Sequence, residues 1–207
     1  MAKEIIEGVF RCQPAADFFM VSKDLIAYVL AGGSSRRMNT DKLFLKIGGK
    51  SLLERTIATC EACFEQVKLV AGQSAKFSSL GYTVVLDSPR AGGPMAGVIA
   101  ALEDCDTDSC FVTAADLVDL SAEVIYSLVS RYRGQQYLGL IETDGLQPLC
   151  GIYHKSSLQA FYRCAQNNEF CMDASMKALN HNGVVLPPGQ WRNINCPKDL
   201  EIGGLNG

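Results

Sequence analysis

The chain has 207 residues, of which 48% are hydrophobic and 20% are charged. These proportions are typical of one globular domain and exclude a disordered chain. The formal net charge of −3 gives no general attraction to nucleic acid or to an anionic membrane, so any anion site must be a local feature. The sequence contains no apolar run of the roughly 18 residues that a membrane helix needs.

Residues 1–24 differ from the rest of the chain. They carry both signs of charge, which is not the pattern of a signal peptide, and Pro14 would interrupt a helix there. We therefore predict an N-terminal appendage at residues 1–24, a single domain at residues 25–207 and a cytoplasmic location. The nine cysteines are scattered and odd in number, which favours reduced thiols packed as small hydrophobic side chains.

From residue 25 onward, apolar strands alternate with amphipathic helices. The first strand is the run LIAYVLAGG, and the helix SLLERTIATCEACFEQ follows it, with Ser51 as N-cap and Glu54 as its capping-box partner. This assignment places the CxxC pair Cys60 and Cys63 inside that helix, and no second ligand pair accompanies it as a zinc site would require. The further predicted elements, in chain order, are the strands VKLVAG and GYTVVLD, the helix GPMAGVIAALEDC, the strand SCFVTAAD, the helix SAEVIYSLVSRY, two strands around a TDG turn and a helix after them.

This alternation predicts an α/β fold, in which helices cover both faces of a mostly parallel sheet in a three-layer α/β/α arrangement. Strands 25–33 and 109–116 end in glycine-rich or charged loops. Because ligands of open α/β sheets bind at the carboxyl ends of the strands, we expect a ligand site at these loops.

The loop after the first strand has the composition of a phosphate site. It matches neither the GxxxxGK[ST] pattern of a Walker loop nor the GxGxxG pattern of a dinucleotide fingerprint. Its adjacent glycines, Gly32 and Gly33, would let backbone N–H groups approach a triphosphate. Arg37 and Lys42 would neutralise its charge. We therefore expect this loop to bind a nucleoside triphosphate.

Five motifs occur in an order that resembles one known family. They are LAGGSSRRMNTDK, GGPMAG, AADLVDL, QPLCGIY and WRNINCPKDL, and together they extend over about residues 26–202. The first resembles the signature of nucleotidyltransferases with a GT-A-like fold. The ordered set is most similar to the MobA family of molybdenum cofactor guanylyltransferases.

The resemblance implies a fold and a reaction. The fold is the Rossmann-like one of nucleotide-diphospho-sugar transferases. The reaction is Mg²⁺-dependent transfer of GMP from GTP to molybdopterin, with release of pyrophosphate. GTP and molybdopterin would be the partners, and transient contact with proteins of cofactor biosynthesis or molybdoenzyme maturation is a further expectation. The appendage would lie outside the nucleotidyltransferase domain of residues 25–207.

The resemblance also assigns roles to individual residues. The catalytic residues would be Arg37, Lys42 and Asp116, with Asp116 as the Mg²⁺ ligand, although Asp116 could instead be an N-cap aspartate. The implied nucleotide-binding residues are Leu30, Ala31, Gly32, Gly33, Arg37, Lys42, Asp87, Gly93 and Asp116. The implied acceptor-binding residues are Gln147, Pro148, Asn193 and Asn195. Asp87 could instead be a turn residue, and the two asparagines a turn-forming pair.

Three departures from the family pattern keep alternatives open. Asn39 replaces a glycine of the signature, and Val118 replaces a proline. A base-reading asparagine after the second strand is replaced by the sequence AGQ, so only Gln73 offers an amide there. Two enzymes therefore stay as alternatives: a cytidylyltransferase on the same acceptor, and a relative acting on a sugar or alcohol phosphate. A catalytically silent nucleotide-binding homologue that delivers cofactor is another. An interaction module docking through residues 1–24 is the last. His154 and His181 are predicted to be surface residues.

Overall fold

We analysed a computed structural model, which describes residues 22–32, 42–44, 46–47, 49–117, 120–142 and 145–185. Within these residues the chain forms nine strands and five α-helices. The strands are β1 (Ser22–Leu30), β2 (Lys46–Ile47), β3 (Lys50–Ser51), β4 (Phe64–Ala71), β5 (Val84–Leu86), β6 (Ser109–Ala114), β7 (Tyr137–Glu142), β8 (Gly145–His154) and β9 (His181–Val185). The helices are α1 (Leu52–Glu61), α2 (Pro94–Asp104), α3 (Ala122–Val129), α4 (Leu158–Gln166) and α5 (Met172–Lys177). Short 3-10 helices occupy Lys42–Phe44, Ala75–Leu80 and Lys155–Ser157.

Seven of the strands form one sheet in the order β5-β4-β1-β6-β8-β7-β9. β1 pairs in parallel with β4 and β6, and β4 pairs in parallel with β5. β8 is antiparallel to both of its neighbours, β6 and β7, and β9 is parallel to β7. The carboxyl ends of β1, β4, β5 and β6 and the amino end of β8 consequently lie at one edge of the sheet. The predicted mostly parallel α/β sheet is confirmed.

The sheet has a hydrophobic core on each face, because successive residues of its central strand point to opposite sides. Ala27 and Val29 of β1 pack in one core with α1 and α3, whereas Tyr28 and Leu30 pack in the other with α2, α4 and α5. This double burial explains why β1 appears in the sequence as a continuous apolar run rather than as an alternating one. It also confirms the three-layer arrangement.

Two helix starts that the sequence predicts are present. Ser51 and Glu54 form the predicted capping box, in which Glu54 N–H donates to Ser51 Oγ (3.2 Å) and Ser51 N–H donates to the Glu54 carboxylate (2.7 Å). These bonds to Ser51 lower the pKa of Glu54. α2 begins at Pro94, directly after Gly93, whose φ of +60° suits glycine.

One prediction about the cysteines is wrong. α1 ends at Glu61, so Cys63 lies in the turn before β4 and only Cys60 of the CxxC pair is helical. Both thiols are buried, and neither forms a disulfide bond within the described part of the chain. Burial raises the pKa of Cys63 to about 11. Cys63 is therefore a protonated, apolar side chain of the core on the α1 side of the sheet.

The helices in the described part of the chain are all too short or too polar to cross a membrane. The structure describes both histidines that the sequence predicts to be surface residues. His154 is half-buried at the end of β8, where its ring accepts a hydrogen bond from Ser156 N–H (3.1 Å), and His181 is exposed at the start of β9.

Candidate active site

The segments that follow β1 and β6 stay together beyond the ends of the strands. Ala31 N–H donates to Val70 O (2.8 Å), and Ala115 N–H donates to Leu30 O (3.1 Å). The hydroxyl of the buried Thr56 on α1 donates to Ala115 O (3.2 Å). The backbone at the carboxyl edge is thus fixed on both sides of β1 where the glycine-rich loop begins.

Asp116 lies two residues beyond β6 and is half-buried. It directly follows Ala115, which is hydrogen-bonded through both its N–H and its C=O groups. The fixed backbone of its neighbour therefore places Asp116 beside the end of β1, where the sequence predicts the nucleotide loop. Its position at the carboxyl edge agrees with the expectation from the sequence.

Asp87 directly follows β5, and three glycines surround its carboxylate. Its N–H donates to Ala71 O (3.1 Å), which ties it to the end of β4. A Cβ atom added to Gly32 would lie 3.2 Å from Asp87 Oδ2, and one added to Gly72 would lie 3.4 Å from the same oxygen. A Cβ atom added to Gly97 would lie 3.4 Å from Asp87 Oδ1. We call Gly32, Gly72 and Gly97 the glycine cradle.

The Asp87 carboxylate has no charged partner in the described part of the chain, and it accepts no hydrogen bond there. It is half-buried, and this burial raises the pKa of Asp87 because it disfavours the charged form. A cation or a hydrogen-bond donor bound beside it would offset that cost. The next residue, Ser88, has a buried hydroxyl that also lacks a hydrogen-bond partner among the described residues. Buried polar atoms are normally paired, so this end of the sheet retains unused polar groups.

The loop before α2 is held from its outer side. The Arg90 guanidinium lies 3.4 Å from the Glu103 carboxylate and 5.2 Å from the centre of the Tyr162 ring. Tyr162 OH donates to the same carboxylate (2.7 Å). A Cβ atom added to Gly92 would lie 3.7 Å from the exposed Phe170 side chain. These contacts fix the entry to α2, where Gly93, a predicted nucleotide-binding residue, is exposed.

The glycine-rich loop is only partly within the described residues. Leu30, Ala31 and Gly32 are described, whereas Gly33, Arg37 and Asn39 lie outside the described part of the chain. The backbone of Lys42 begins the 3-10 helix Lys42–Phe44, and its side chain is outside that part as well. Its neighbour Leu43 is buried in the core on the α1 side of the sheet. Leu43 thus anchors the backbone of Lys42 to the domain.

The predicted acceptor residues are divided in the same way. Gln147 and Pro148 are half-buried near the amino end of β8, at the same edge as the glycine cradle. Gln147 Oε1 accepts a hydrogen bond from Leu149 N–H (3.3 Å), which leaves the amide NH₂ group without a partner among the described residues. Asn193 and Asn195 lie outside the described residues, as does Val118.

The structure adds residues that sequence reasoning missed. Gly72 was interpreted only as the loss of a base-reading asparagine, but it faces the Asp87 carboxylate. The sequence feature that indicates this role is the position of Gly72, directly after a buried strand. The unpaired hydroxyl of Ser88 had no signal in the sequence, because a serine in the segment DSPRAGG is typical of a turn.

The arrangement can bind a polyphosphate and a cation. Glycines bring backbone close to the Asp87 carboxylate, and Asp116 follows β6 at the same edge of the sheet. The eleven-residue helix α2 also begins at this edge. Among the described residues no three His, Cys, Asp or Glu side chains form a metal cluster. One or two carboxylates completed by phosphate oxygens and water nevertheless suit Mg²⁺.

A fold and an edge of this kind define a class of α/β enzymes that act on nucleotides at the carboxyl ends of their strands. The chain belongs to the MobA-like NTP transferase domain family, whose model matches residues 27–181, and it is accordingly a nucleotidyltransferase. Enzymes of this kind generally use a divalent metal ion.

Individual relatives agree with this assignment. Two of them carry the name "Probable molybdenum cofactor guanylyltransferase". The one from Aquifex aeolicus is 30% identical and aligns over 87% of this chain and 90% of its own length. The one from Rhodopirellula baltica is 32% identical, over 85% and 90%. The crystal structure of molybdopterin-guanine dinucleotide biosynthesis protein A from Archaeoglobus fulgidus has a TM-score of 0.71 at 24% identity, over 86% of this chain and 96% of that one, which shows the shared fold.

Proposed function

We propose that this protein is a molybdenum cofactor guanylyltransferase that transfers GMP from GTP to molybdopterin. The names of its relatives support this substrate pair. The observation that carries the proposal in the structure is the glycine cradle around Asp87, at the same carboxyl edge of the sheet at which Asp116 follows β6. A triphosphate needs backbone donors, cations and a metal ligand in one place. In this proposal Arg37 and Lys42 supply the cations and Asp116 supplies the metal ligand.

The reaction requires positioning and charge stabilisation more than covalent chemistry. A phosphate oxygen of molybdopterin attacks the α-phosphorus of GTP and forms a new P–O bond. The bond from the α-phosphorus to the bridging oxygen breaks, and pyrophosphate leaves with that electron pair. In this proposal the backbone of residues 30–33 and the start of α2 donate hydrogen bonds to phosphate oxygens, and Arg37 and Lys42 neutralise developing charge.

Mg²⁺ is the divalent ion that suits the donor set best in this proposal. Asp116 would be its ligand from the protein, and Asp87, whose raised pKa reflects an unpaired half-buried carboxyl, would contact the bound nucleotide. When bound, the ion would supply charge neutralisation at the phosphates. Gln147, Pro148, Asn193 and Asn195 would bind the pterin. The NH₂ group of Gln147, which has no partner within the described part of the chain, would donate to a pterin oxygen or nitrogen.

The base-reading amide of the family pattern is absent from the described end of β4. Ala71 and Gly72 end β4 where the family pattern carries a base-reading amide, and Gln73 is exposed after them. A cytidylyltransferase on the same acceptor and a silent nucleotide-binding homologue are therefore the alternative outcomes of the test. A cytoplasmic location stays a prediction.

The test is a transfer assay with purified protein, molybdopterin and Mg²⁺, supplied in turn with GTP, CTP, ATP or UTP. Mass spectrometry identifies the dinucleotide, and a coupled assay measures pyrophosphate. We expect product with GTP. The variant Lys42→Ala should lose turnover by about 10²–10³-fold. Lys46→Ala, at an exposed lysine on β2, is the control and should retain turnover.

Each contrary outcome has a distinct meaning. Product with CTP alone would transfer the proposal to the cytidylyltransferase alternative. Binding of a nucleotide without any product would support the silent homologue, since such a protein has no turnover for Lys42→Ala to remove. Equal turnover of the Lys42 and Lys46 variants would contradict the role given to Lys42.

A further inference from the structure

Part of β8 departs from regular pairing with its neighbour β7. Gly151 pairs with Gly139, but the next residue of β7, Leu140, pairs with Gln147. Residues 148–150 therefore have no partner on β7, and we call residues 147–150 the β8 bulge. A proline in this segment is compatible with a bulge, because Pro148 has no N–H group to contribute to a ladder. At its two ends the bulge stays paired, since Gln147 pairs with Leu140 of β7 and Cys150 pairs with Thr113 of β6. Between them the regular ladder with β7 is interrupted, so side-chain donors can satisfy carbonyl groups there.

Two buried tyrosine hydroxyls supply those donors. Tyr137 OH donates to Gln147 O and also lies 3.2 Å from Cys150 O. Tyr153 OH donates to Pro148 O (2.6 Å). Three of the four carbonyl groups of the β8 bulge are thereby contacted by two tyrosine hydroxyls, one from β7 and one from further along β8.

Both tyrosine rings are held in place by their surroundings. They are fully buried, and their centres are 4.4 Å apart. Gly139 and Gly151 leave the space that the Tyr137 ring occupies, since a Cβ atom on Gly151 would lie 2.6 Å from that ring. The Tyr153 ring packs against Phe161, with their centres 5.8 Å apart. The directions of the two hydroxyl groups are thus fixed by packing.

Burial also keeps both hydroxyls protonated. It raises the pKa of Tyr137 and of Tyr153 well above the ordinary value. A protonated phenol is a donor, which is the role that the carbonyl groups of the β8 bulge require. Gln147, Pro148 and Leu149 of the bulge are half-buried, and the NH₂ group of Gln147 has no hydrogen-bond partner among the described residues.

We infer that Tyr137 and Tyr153 are positioning residues, which fix the shape of the β8 bulge so that it fits the acceptor substrate. The inference rests on the proposed function, in which Gln147 and Pro148 bind the pterin. Neither tyrosine touches the acceptor. Each acts through a backbone carbonyl, and without its hydroxyl the bulge would adopt other shapes and bind the pterin less tightly.

The test compares Tyr137→Phe, Tyr153→Phe and the double variant with wild type. Each single change removes one hydroxyl and keeps the ring. We expect KM for molybdopterin to rise roughly tenfold in each single variant, because a buried hydrogen bond contributes about one such factor. The Kd of GTP, measured by titration, should stay within about twofold, which also shows that each variant is folded.

Tyr28→Phe is the matched control. Tyr28 is equally buried, and its hydroxyl donates to Asp104 (2.8 Å) at the last residue of α2, the end of that helix away from Gly93. Its loss removes a buried hydroxyl without affecting the β8 bulge, so KM for molybdopterin should not change.

The inference is overturned if Tyr137→Phe and Tyr153→Phe change KM for molybdopterin no more than Tyr28→Phe does. It is also overturned if they weaken GTP binding as much as acceptor binding, since that would indicate a general loss of structure. A wild-type protein that forms no product with molybdopterin would contradict the proposed function itself. These results are distinguishable because the wild-type rate is measured first.

Discussion

The two halves of the sheet build their parts of the edge in different ways. In the half formed by β5, β4, β1 and β6, all strands are parallel, and glycines bring backbone segments close to the Asp87 carboxylate. In the half formed by β8, β7 and β9, an antiparallel strand bulges, and hydroxyls of Tyr137 and Tyr153 contact its carbonyl groups. In the first half, glycines leave room for the backbone to approach a carboxylate. In the second half, tyrosine side chains hold the shape of the β8 bulge.

This contrast suits the two proposed substrates. A triphosphate is recognised by many backbone donors and by charge, so close approach of the backbone matters most. A pterin is recognised by a few directed hydrogen bonds, so the exact positions of an amide and of a carbonyl group matter most. Three substitutions test this comparison, beginning with the largest expected effect.

In the half formed by β5, β4, β1 and β6, the largest loss of activity is expected from Asp116→Asn. The change keeps the size of the side chain and removes its charge, so kcat/KM for transfer should fall by about 10²–10³-fold. Steady-state kinetics at saturating Mg²⁺ measures it. Asp173→Asn, at an exposed aspartate of α5, is the control and should behave as wild type. Equal kinetics of the two variants would contradict the role of Asp116.

The half formed by β8, β7 and β9 should tolerate an added methyl group less well than the half formed by β5, β4, β1 and β6. In Gly151→Ala the new Cβ atom would lie 2.5 Å from Leu138 O and 2.6 Å from the Tyr137 ring, so the backbone has to move. We expect the free energy of unfolding to fall by about 1–3 kcal/mol. Gly92→Ala is the control, since its Cβ atom would have an ordinary contact of 3.7 Å with Phe170. Urea unfolding that gives the same value for both variants would contradict the packing described for Tyr137.

The smallest expected effect is a gain in stability. In Asp87→Asn a half-buried carboxylate, which has no charged partner among the described residues, is replaced by a neutral amide. Because the pKa of Asp87 is raised in the folded state, the folded protein binds this proton more tightly than the unfolded chain does. The charged carboxylate therefore costs stability above its folded pKa, and that cost disappears as the pH falls below the unfolded value of about 3.9.

The variant Asp87→Asn should accordingly have a higher melting temperature than wild type at pH 7, and the difference should shrink toward pH 4. It should also lose most of the stabilisation by GTP, which in wild type is about 2.7 kcal/mol at 100 times Kd. Thermal melts over this pH range, with and without GTP, measure both effects. Asp106→Asn, at an exposed aspartate, is the control. A melting temperature of Asp87→Asn below that of wild type at pH 7 would contradict the account of Asp87.

The sequence predicts those parts of the fold that have strong local signals. The apolar run of β1, the capping box of Ser51 and Glu54 and the Gly–Pro entry to α2 are local patterns, and each is present. α5 and β9 were not predicted, because they have only six and five residues and their sequences lack a clear period. The end of α1 was misjudged because buried Cys63 continues the apolar spacing of the helix.

The site was predictable only where a residue follows a strand. Asp87 and Asp116 were placed at the carboxyl edge by that rule, and the structure has both there. The glycine cradle was not predicted as a unit, since Gly32, Gly72 and Gly97 come from three segments that meet only in the folded chain. The tyrosines behind the β8 bulge were missed because a buried aromatic residue in a strand is the ordinary expectation.

Hydrogen–deuterium exchange of the wild-type protein is the most direct test of the division between the two halves. The protein is measured alone, with GTP and Mg²⁺, and with molybdopterin. The account predicts that GTP protects amides of residues 87–97, around the glycine cradle, and that molybdopterin protects amides of residues 147–151. Protection of residues 147–151 by GTP with none at residues 87–97 would contradict it.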